Sequence, residues 1–192
     1  MVNLWEYAGW DDLAHNFGHE LVGPSHQDPN LVRWWEAAAK FRHGGFDRIA
    51  VAPEWSPGIE AHLRNGWSAG GYLHEWWRCP VGRSAEMIEA LRELVEHYGR
   101  QGLSLALALS TAMGDDSECL MLWGFDTWET WADFESSRAG DAELRGWGGR
   151  HERLISGRRS SLLVDAELSP LRTGRQPQVE DRRMLNDGVE AT

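Results

Sequence analysis

Residues 103–125 read LSLALALSTAMGDDSECLMLWGF. Over residues 103–109 leucine alternates with serine or alanine, which is the period-two pattern of a β-strand with two different faces. Residues 114–116 carry a glycine and two aspartates, which indicates a tight turn into a second apolar strand. We therefore expect a β-hairpin whose leucines pack against helices. The small residues then face the other way and leave room for a ligand or for tryptophans of an opposing sheet: Ser104, Ala106, Ala108 and Ser110.

Further elements flank this hairpin on both sides. Residues 72–79 form a strand pattern, and Ser84 is a good N-cap for an amphipathic helix that ends at Gly99. After the hairpin, Asp126 with Glu129 three residues later is a capping-box pattern that predicts another helix. A second helix and a closing strand follow, over residues 141–155 and 160–168. The order β-α-β-β-α-β predicts an α+β fold with a ferredoxin-like antiparallel sheet and helices on its outer face.

The front of the chain repeats part of this pattern. Residues 4–14 (LWEYAGWDDLA) match residues 122–132 (LWGFDTWETWA) at an offset of 118 positions, and the offset becomes 113 positions from residue 28 to residue 57. The first copy then has strands over residues 3–8 and 48–55 and helices over 11–17 and 29–43, but no first β-α-β. The predicted divisions are an incomplete half-repeat (β-α-α-β) over residues 1–57, a linker over 58–71, a complete repeat over 72–168 and a disordered tail over 169–192.

Composition restricts the classes of function. The chain has 192 residues, of which 42% are hydrophobic, so it can bury a core. Its net charge of -11 repels phosphate groups, so we expect no nucleic-acid and no membrane partner. Two cysteines, no signal-peptide pattern and no long apolar run indicate a cytoplasmic protein. The 12 tryptophans favour either a cavity lined with rings or a broad interface.

Three stretches resemble one family. Residues 72–82 (YLHEWWRCPVG) resemble the opening strand of NIPSNAP-type domains, in which an aromatic and glutamate-containing strand runs into a Pro/Gly turn. Residues 122–131, with LWGF followed by WETW, resemble the second half of that family, and residues 163–170 (LVDAELSP) resemble the closing strand of its bacterial tandem members. The resemblance implies a dimeric α+β barrel, in which two ferredoxin-like sheets from two chains or two repeats face each other around a lumen.

The resemblance also suggests a class of function. Related barrels include cofactor-free monooxygenases, aromatic-polyketide cyclases and haem enzymes. We therefore expect a protein that binds or transforms a small apolar or aromatic metabolite in the barrel lumen, with a monooxygenase-like or cyclase-like step of secondary metabolism as its reaction. The alternatives are a haem-binding barrel protein and a non-catalytic assembly module. No cofactor is predicted, and no P-loop, dinucleotide fingerprint or nucleophile elbow is present.

One strand carries the best candidates for chemistry. In residues 72–79, alternation places Tyr72, His74, Trp76 and Arg78 on one face. An imidazole suits proton transfer, and a guanidinium beside it suits anion binding. His74 is therefore the candidate general base, and Arg78 is the second candidate catalytic residue, as the group that holds an anion. The alternative is a histidine at an edge or interface without chemistry. The predicted ligand-binding residues are Tyr72, Trp76, Ser104, Ala106, Ala108, Ser110 and Trp123.

The sequence predicts no metal site. His15 and His19 lie four residues apart and, with Glu20 or His26, would supply zinc ligands if the helix continued through Gly18. A loop with solvated histidines is the favoured alternative.

The truncated first copy bears on partners. Without a hairpin neighbour, a strand over residues 3–8 offers an open edge, which another subunit would pair, so we expect a homodimer. A further alternative is that Met1 is an internal start and that the missing β-α-β is encoded upstream.

Overall fold

The computed structural model describes residues 2–21, 33, 36–40, 44, 47–178 and 181. The chain divides into two units, residues 1–47 and residues 48–192. In the first unit, helix α1 covers Trp10–Leu21, which confirms the helix predicted over residues 11–17 and extends it. Within the helix predicted over residues 29–43, residues 33 and 36–39 are helical, and most of the others lie outside the described residues.

The strand predicted over residues 3–8 is not formed. Residues 2–7 have no strand pairing within the described part of the chain, although Ala8 N–H donates to Asp12 Oδ2 at 3.0 Å and so begins the turn into α1. A strand needs a hydrogen-bonded neighbour, and the half-repeat has no first β-α-β to supply one. The homodimer was predicted from an open-edged strand over residues 3–8; that strand is absent from these residues, and the homodimer stays a prediction.

A five-stranded antiparallel sheet organises the second unit. Its strands are β1 (Ile49–Val51), β2 (Gly71–Arg78), β3 (Leu103–Met113), β4 (Glu118–Phe125) and β5 (Gly157–Leu163). Their spatial order is β1-β3-β4-β2-β5, and the last four strands have the ferredoxin-like order. The α+β fold is therefore confirmed, whereas the dimeric barrel stays a prediction. The short strand β1, from the first repeat, extends the sheet beyond β3.

Helices of the second unit accompany this sheet. Within the described residues they are α2 (Ile59–Arg64), α3 (Ser84–Gly99), α4 (Trp128–Arg138), α5 (Ala142–Arg150) and α6 (Pro170–Thr173). The N-cap of α4 is Thr127, whose hydroxyl accepts from Thr130 N–H, and not the predicted Asp126. The helix predicted over residues 141–155 ends at Arg150, and a 3₁₀ turn follows it. Helix α6 lies inside the predicted disordered tail, most of whose remainder lies outside the described residues.

The two faces of the sheet carry separate apolar clusters. The helix side holds the larger cluster, in which strand residues pack against α3, α4 and α5; it includes Leu73, Trp77, Leu91, Trp123, Phe134 and Trp147. We call the opposite side the open face. Its cluster is formed by Tyr72, Ala106, Leu107, Leu120 and Leu122, with Trp67, Trp76, Leu109, Leu163 and Leu171 packed against it.

A β-bulge at Ala106 changes which residues of β3 reach the open face. Leu105 pairs with Trp123 and Leu107 with Leu122, so one residue of β3 is extra. Because two residues then oppose one, the alternation inverts at this point. The prediction that every leucine of β3 faces the helices is therefore wrong after Leu105: Leu107 and Leu109 belong to the open face. The predicted open-face residues Ala108 and, two residues on, Ser110 lie on the helix side instead.

Asp141 ties the end of α3 to the start of α5. One carboxylate oxygen accepts from Leu144 N–H at 2.9 Å, and the other lies 2.6 Å from His97 Nε2 and accepts from the Gln101 amide at 3.0 Å. Burial would raise the pKa of Asp141, but these hydrogen bonds, together with the charge of His97, lower it to about 2.

We expect Asp141→Asn to reduce the acid sensitivity of the fold. The folded pKa of about 2 lies below the ordinary 3.8, so the carboxylate stabilises the protein above pH 3.8 and loses this contribution as the pH falls towards 2. Asparagine keeps the cap but does not titrate. Urea unfolding at a series of pH values should show the stabilities of the wild-type protein and of the Asp141→Asn variant converging as the pH falls from 3.8 to about 2. The same change at exposed Asp133 is the control, and a constant difference over this range would contradict the prediction.

Candidate functional site

His74 occupies the middle of the open face. It lies on β2, between Leu122 of β4 and Ser161 of β5. Its side chain is buried, with only 4% exposed, and its Nε2 atom has no hydrogen-bond partner among the described residues. The ring stands edge-on to Trp76, with centroids 5.4 Å apart. Tyr72 and Trp76 also lie on the open face, as the alternation of residues 72–79 predicts.

The imidazole of His74 is held in its neutral form. Burial lowers its pKa, and the positive charge of Arg159 lowers it further. A neutral imidazole has one nitrogen that accepts hydrogen bonds and one that donates. At neutral pH the site therefore presents an uncharged base on the open face, among apolar side chains.

Arg48 joins Trp76 to a network of arginine and carboxylate side chains. The Arg48 guanidinium lies over the Trp76 ring, 5.1 Å from its centroid, and also binds Glu118 at 2.7 Å. The predicted catalytic companion Arg78 pairs with Asp115 at 3.2 Å and with Glu118 at 3.6 Å. Arg78 lies four residues from His74, which separates their Cα atoms by roughly 13 Å along a strand. The structure therefore does not bring this predicted pair together.

A tryptophan from the linker covers one end of the open face. Trp67 donates from its indole N–H to Ser104 Oγ at 3.0 Å and packs over Gly124, where an added Cβ would lie 2.5 Å from its ring. His62 stacks on Trp67 at 4.2 Å and its Nε2 lies 2.7 Å from the Ala106 carbonyl oxygen. The small residues of β3 thus make room for a tryptophan, which comes from the linker and not from an opposing sheet.

Tyr72 is also engaged at this end of the face. Its hydroxyl donates to Asp165 at 2.6 Å, and burial together with this carboxylate raises the pKa of Tyr72. Of the predicted ligand-binding residues, Ser104 and Ala106 therefore bond to residues 62–67, and Tyr72 bonds to Asp165. Trp76, close to His74, keeps a half-buried ring at the other end. The linker tryptophan carries no pattern that would have marked it in the sequence.

Trp123 lies on the wrong side for the predicted ligand contact. It is fully buried on the helix side, and its indole N–H donates to Glu75 Oε2 at 3.1 Å. Position 123 lies directly opposite Leu73 of β2, whose side chain packs against the helices. Cross-strand neighbours share a face, so Trp123 follows Leu73.

Glu75 is a fully buried carboxylate that sequence reasoning missed. Trp77 donates to Oε2 at 3.3 Å, Arg138 lies 3.4 Å from Oε1, and Arg158 also binds Oε1. Burial raises the pKa of Glu75 to about 7, although Arg138 and the two indole N–H groups oppose this shift. In the sequence, the signal for this buried carboxylate was that Glu75 shares its strand face with apolar residues only, Leu73, Trp77 and Cys79. The cluster joins β2, β4, β5 and α4 and is a structural element of the core.

The described residues contain no group of three or more His, Cys, Asp or Glu side chains that could hold a metal ion. The zinc alternative involves His26 and the side chains of His19 and Glu20, which lie outside the described part of the chain. Among the described helices, none has the length and apolar content that a membrane span requires.

No protein-family model and no curated protein matches the chain. The chain is similar to solved NIPSNAP-family structures. One from Agrobacterium tumefaciens, of unknown function, is 16% identical, with 54% of this chain and 94% of that chain covered and a TM-score of 0.48. A second from the same organism is 20% identical (53% and 97% covered, TM-score 0.46), and one from Burkholderia xenovorans is 17% identical (52% and 98% covered, TM-score 0.45).

Proposed function

We propose that the chain binds a small apolar or aromatic molecule on the open face of its sheet and that His74 accepts a proton or a hydrogen bond from it. The observation that carries this proposal is the buried Nε2 atom of His74, for which the described residues supply no partner. A buried polar atom without a partner costs about 1–3 kcal/mol, and a hydroxyl group of a bound molecule would recover part of this cost.

The neighbours of His74 fit such a ligand. Trp76 offers an aromatic ring that stands edge-on to the imidazole, with the two centroids 5.4 Å apart. On the neighbouring strand β4, Leu120 lies opposite Trp76 and Leu122 lies opposite His74, and both belong to the apolar cluster of the open face. Because burial and Arg159 lower the pKa of His74, its base form is present at neutral pH. Removing a proton from an acidic aromatic molecule is also how a cyclase-like or cofactor-free monooxygenase-like reaction would begin.

Binding of 2-naphthol to the full chain tests the proposal. This probe has an aromatic ring and a hydroxyl donor, whereas 2-methoxynaphthalene has the ring without the donor. We expect saturable binding of 2-naphthol by NMR, with shifts at the His74 and Trp76 side chains. His74→Phe, which keeps a ring but no base, should weaken binding of 2-naphthol about tenfold and leave 2-methoxynaphthalene unchanged, as loss of one hydrogen bond predicts.

His151→Phe is the matched control, since His151 lies on the helix side and pairs with Glu93 at 2.9 Å. It should bind 2-naphthol as the wild-type protein does. The proposal is wrong if 2-naphthol shows no saturable binding up to millimolar concentration, or if His74→Phe binds it as tightly as the wild-type protein does.

A further inference from the structure

The charges around the candidate site are not evenly paired. Arg48 and Arg78 both contact Glu118, and Arg78 also contacts Asp115. Arg159 stands directly opposite Trp76 on β5, on the same face, and within the described part of the chain it forms no ion pair or hydrogen bond. Among the described residues, one guanidinium beside the tryptophan is therefore without an anionic partner.

Arg159 is accessible to a bound molecule because of its position and its exposure. Arg159 and Ser161 are exposed on β5, the edge strand, whereas His74 beside them is 4% exposed. The carboxylate of Asp165 lies beyond Tyr72, at the opposite end of the face, where the tyrosine hydroxyl binds it at 2.6 Å. The site thus combines a buried neutral base, a half-buried aromatic ring and an exposed cation at its rim.

We infer that the ligand of this site is an aromatic acid, whose ring lies against Trp76 and whose carboxylate pairs with Arg159 while its polar substituent reaches His74. This inference rests on the proposed function and names its substrate class. A planar guanidinium binds a carboxylate with two parallel hydrogen bonds, which a neutral amide cannot reproduce. The cation near His74 also gives a second readout, because a bound anion would cancel the charge that lowers the pKa of His74.

The test compares 2-naphthoate with its neutral counterpart 2-naphthamide on the full chain. We expect 2-naphthoate to bind at least about tenfold more tightly, with an affinity that falls as salt is added. Arg159→Gln should remove this preference and leave 2-naphthamide unaffected. In an NMR titration of the imidazole, saturating 2-naphthoate should raise the pKa of His74, and 2-naphthamide should not.

The control is Arg153→Gln, an exposed arginine on the helix side, which should keep the preference for the acid. Equal binding of acid and amide by the wild-type protein would overturn the inference and leave the proposed function standing. An unchanged preference in Arg159→Gln would also overturn it. Absence of binding by both probes would overturn the inference, whereas the proposed function is decided by the binding of 2-naphthol.

Discussion

Glu75→Ala is expected to lower the free energy of unfolding by about 3–5 kcal/mol, because it removes one partner from a buried charge cluster. The side chain is fully buried, and Trp123, Trp77, Arg138 and Arg158 all direct donors at its two oxygens. Without the carboxylate, these donors would remain in the core with no acceptor. Urea unfolding at neutral pH, followed by tryptophan fluorescence and circular dichroism, measures the loss.

Glu135→Ala is the matched control for this prediction. Glu135 also pairs with Arg138, at 3.3 Å, but its side chain is 47% exposed. An exposed ion pair contributes at most about 1 kcal/mol, so the control should lose little stability. Equal losses at the two positions would show that the buried cluster is not the source of the effect.

Glu75→Gln keeps the shape of the side chain and removes its titration, so it isolates the effect of the charge on stability. The folded pKa of about 7 lies above the ordinary 4.5, so the folded protein binds a proton on this carboxyl more tightly than the unfolded chain does. The stability of the wild-type protein relative to Glu75→Gln should therefore be greatest at pH 4.5 or below and fall as the pH rises to about 7. Unfolding free energies of both proteins across this range check the sign, and a rise with pH would contradict it.

Trp147→Ala is expected to cost about 3–5 kcal/mol, the usual loss for truncating a buried aromatic side chain. Trp147 lies on α5 and is 3% exposed. Its ring meets Trp77 edge-on, with centroids 5.4 Å apart, and its indole N–H donates to the Ala90 carbonyl oxygen of α3 at 2.9 Å. It therefore joins α5 to both α3 and the sheet. Denaturant unfolding measures the effect.

Two further substitutions divide this loss into parts. Trp147→Phe keeps much of the ring and removes the N–H donor, which leaves the Ala90 carbonyl without this donor and should cost about 1–3 kcal/mol. Trp128→Ala truncates a tryptophan that is 45% exposed on α4 and should lose clearly less than Trp147→Ala. Comparable losses for Trp128→Ala and Trp147→Ala would contradict the assigned role of burial.

Local patterns in the sequence were sufficient for most of the second unit. Period-two alternation predicted β2 and the hairpin of β3 and β4, and the amphipathic stripe predicted α3, because these patterns depend only on neighbouring residues. The start of α5, whose N-cap is Asp141, was also predicted. The alternation of β2 also predicted that His74 shares a face with Tyr72 and Trp76.

The sequence by itself determined the order of elements from β2 to β5, the α+β class and the face of β2 that carries His74. Only the tertiary structure decided which residues meet across that face. The bulge at Ala106 inverted the second half of β3, and Trp67 of the linker donates a hydrogen bond to Ser104. The tertiary structure also decided which charges pair: Glu118 forms an ion pair with Arg48, and no described carboxylate forms one with Arg159. Each of these contacts joins residues that are distant in the chain, and no local period records such partners.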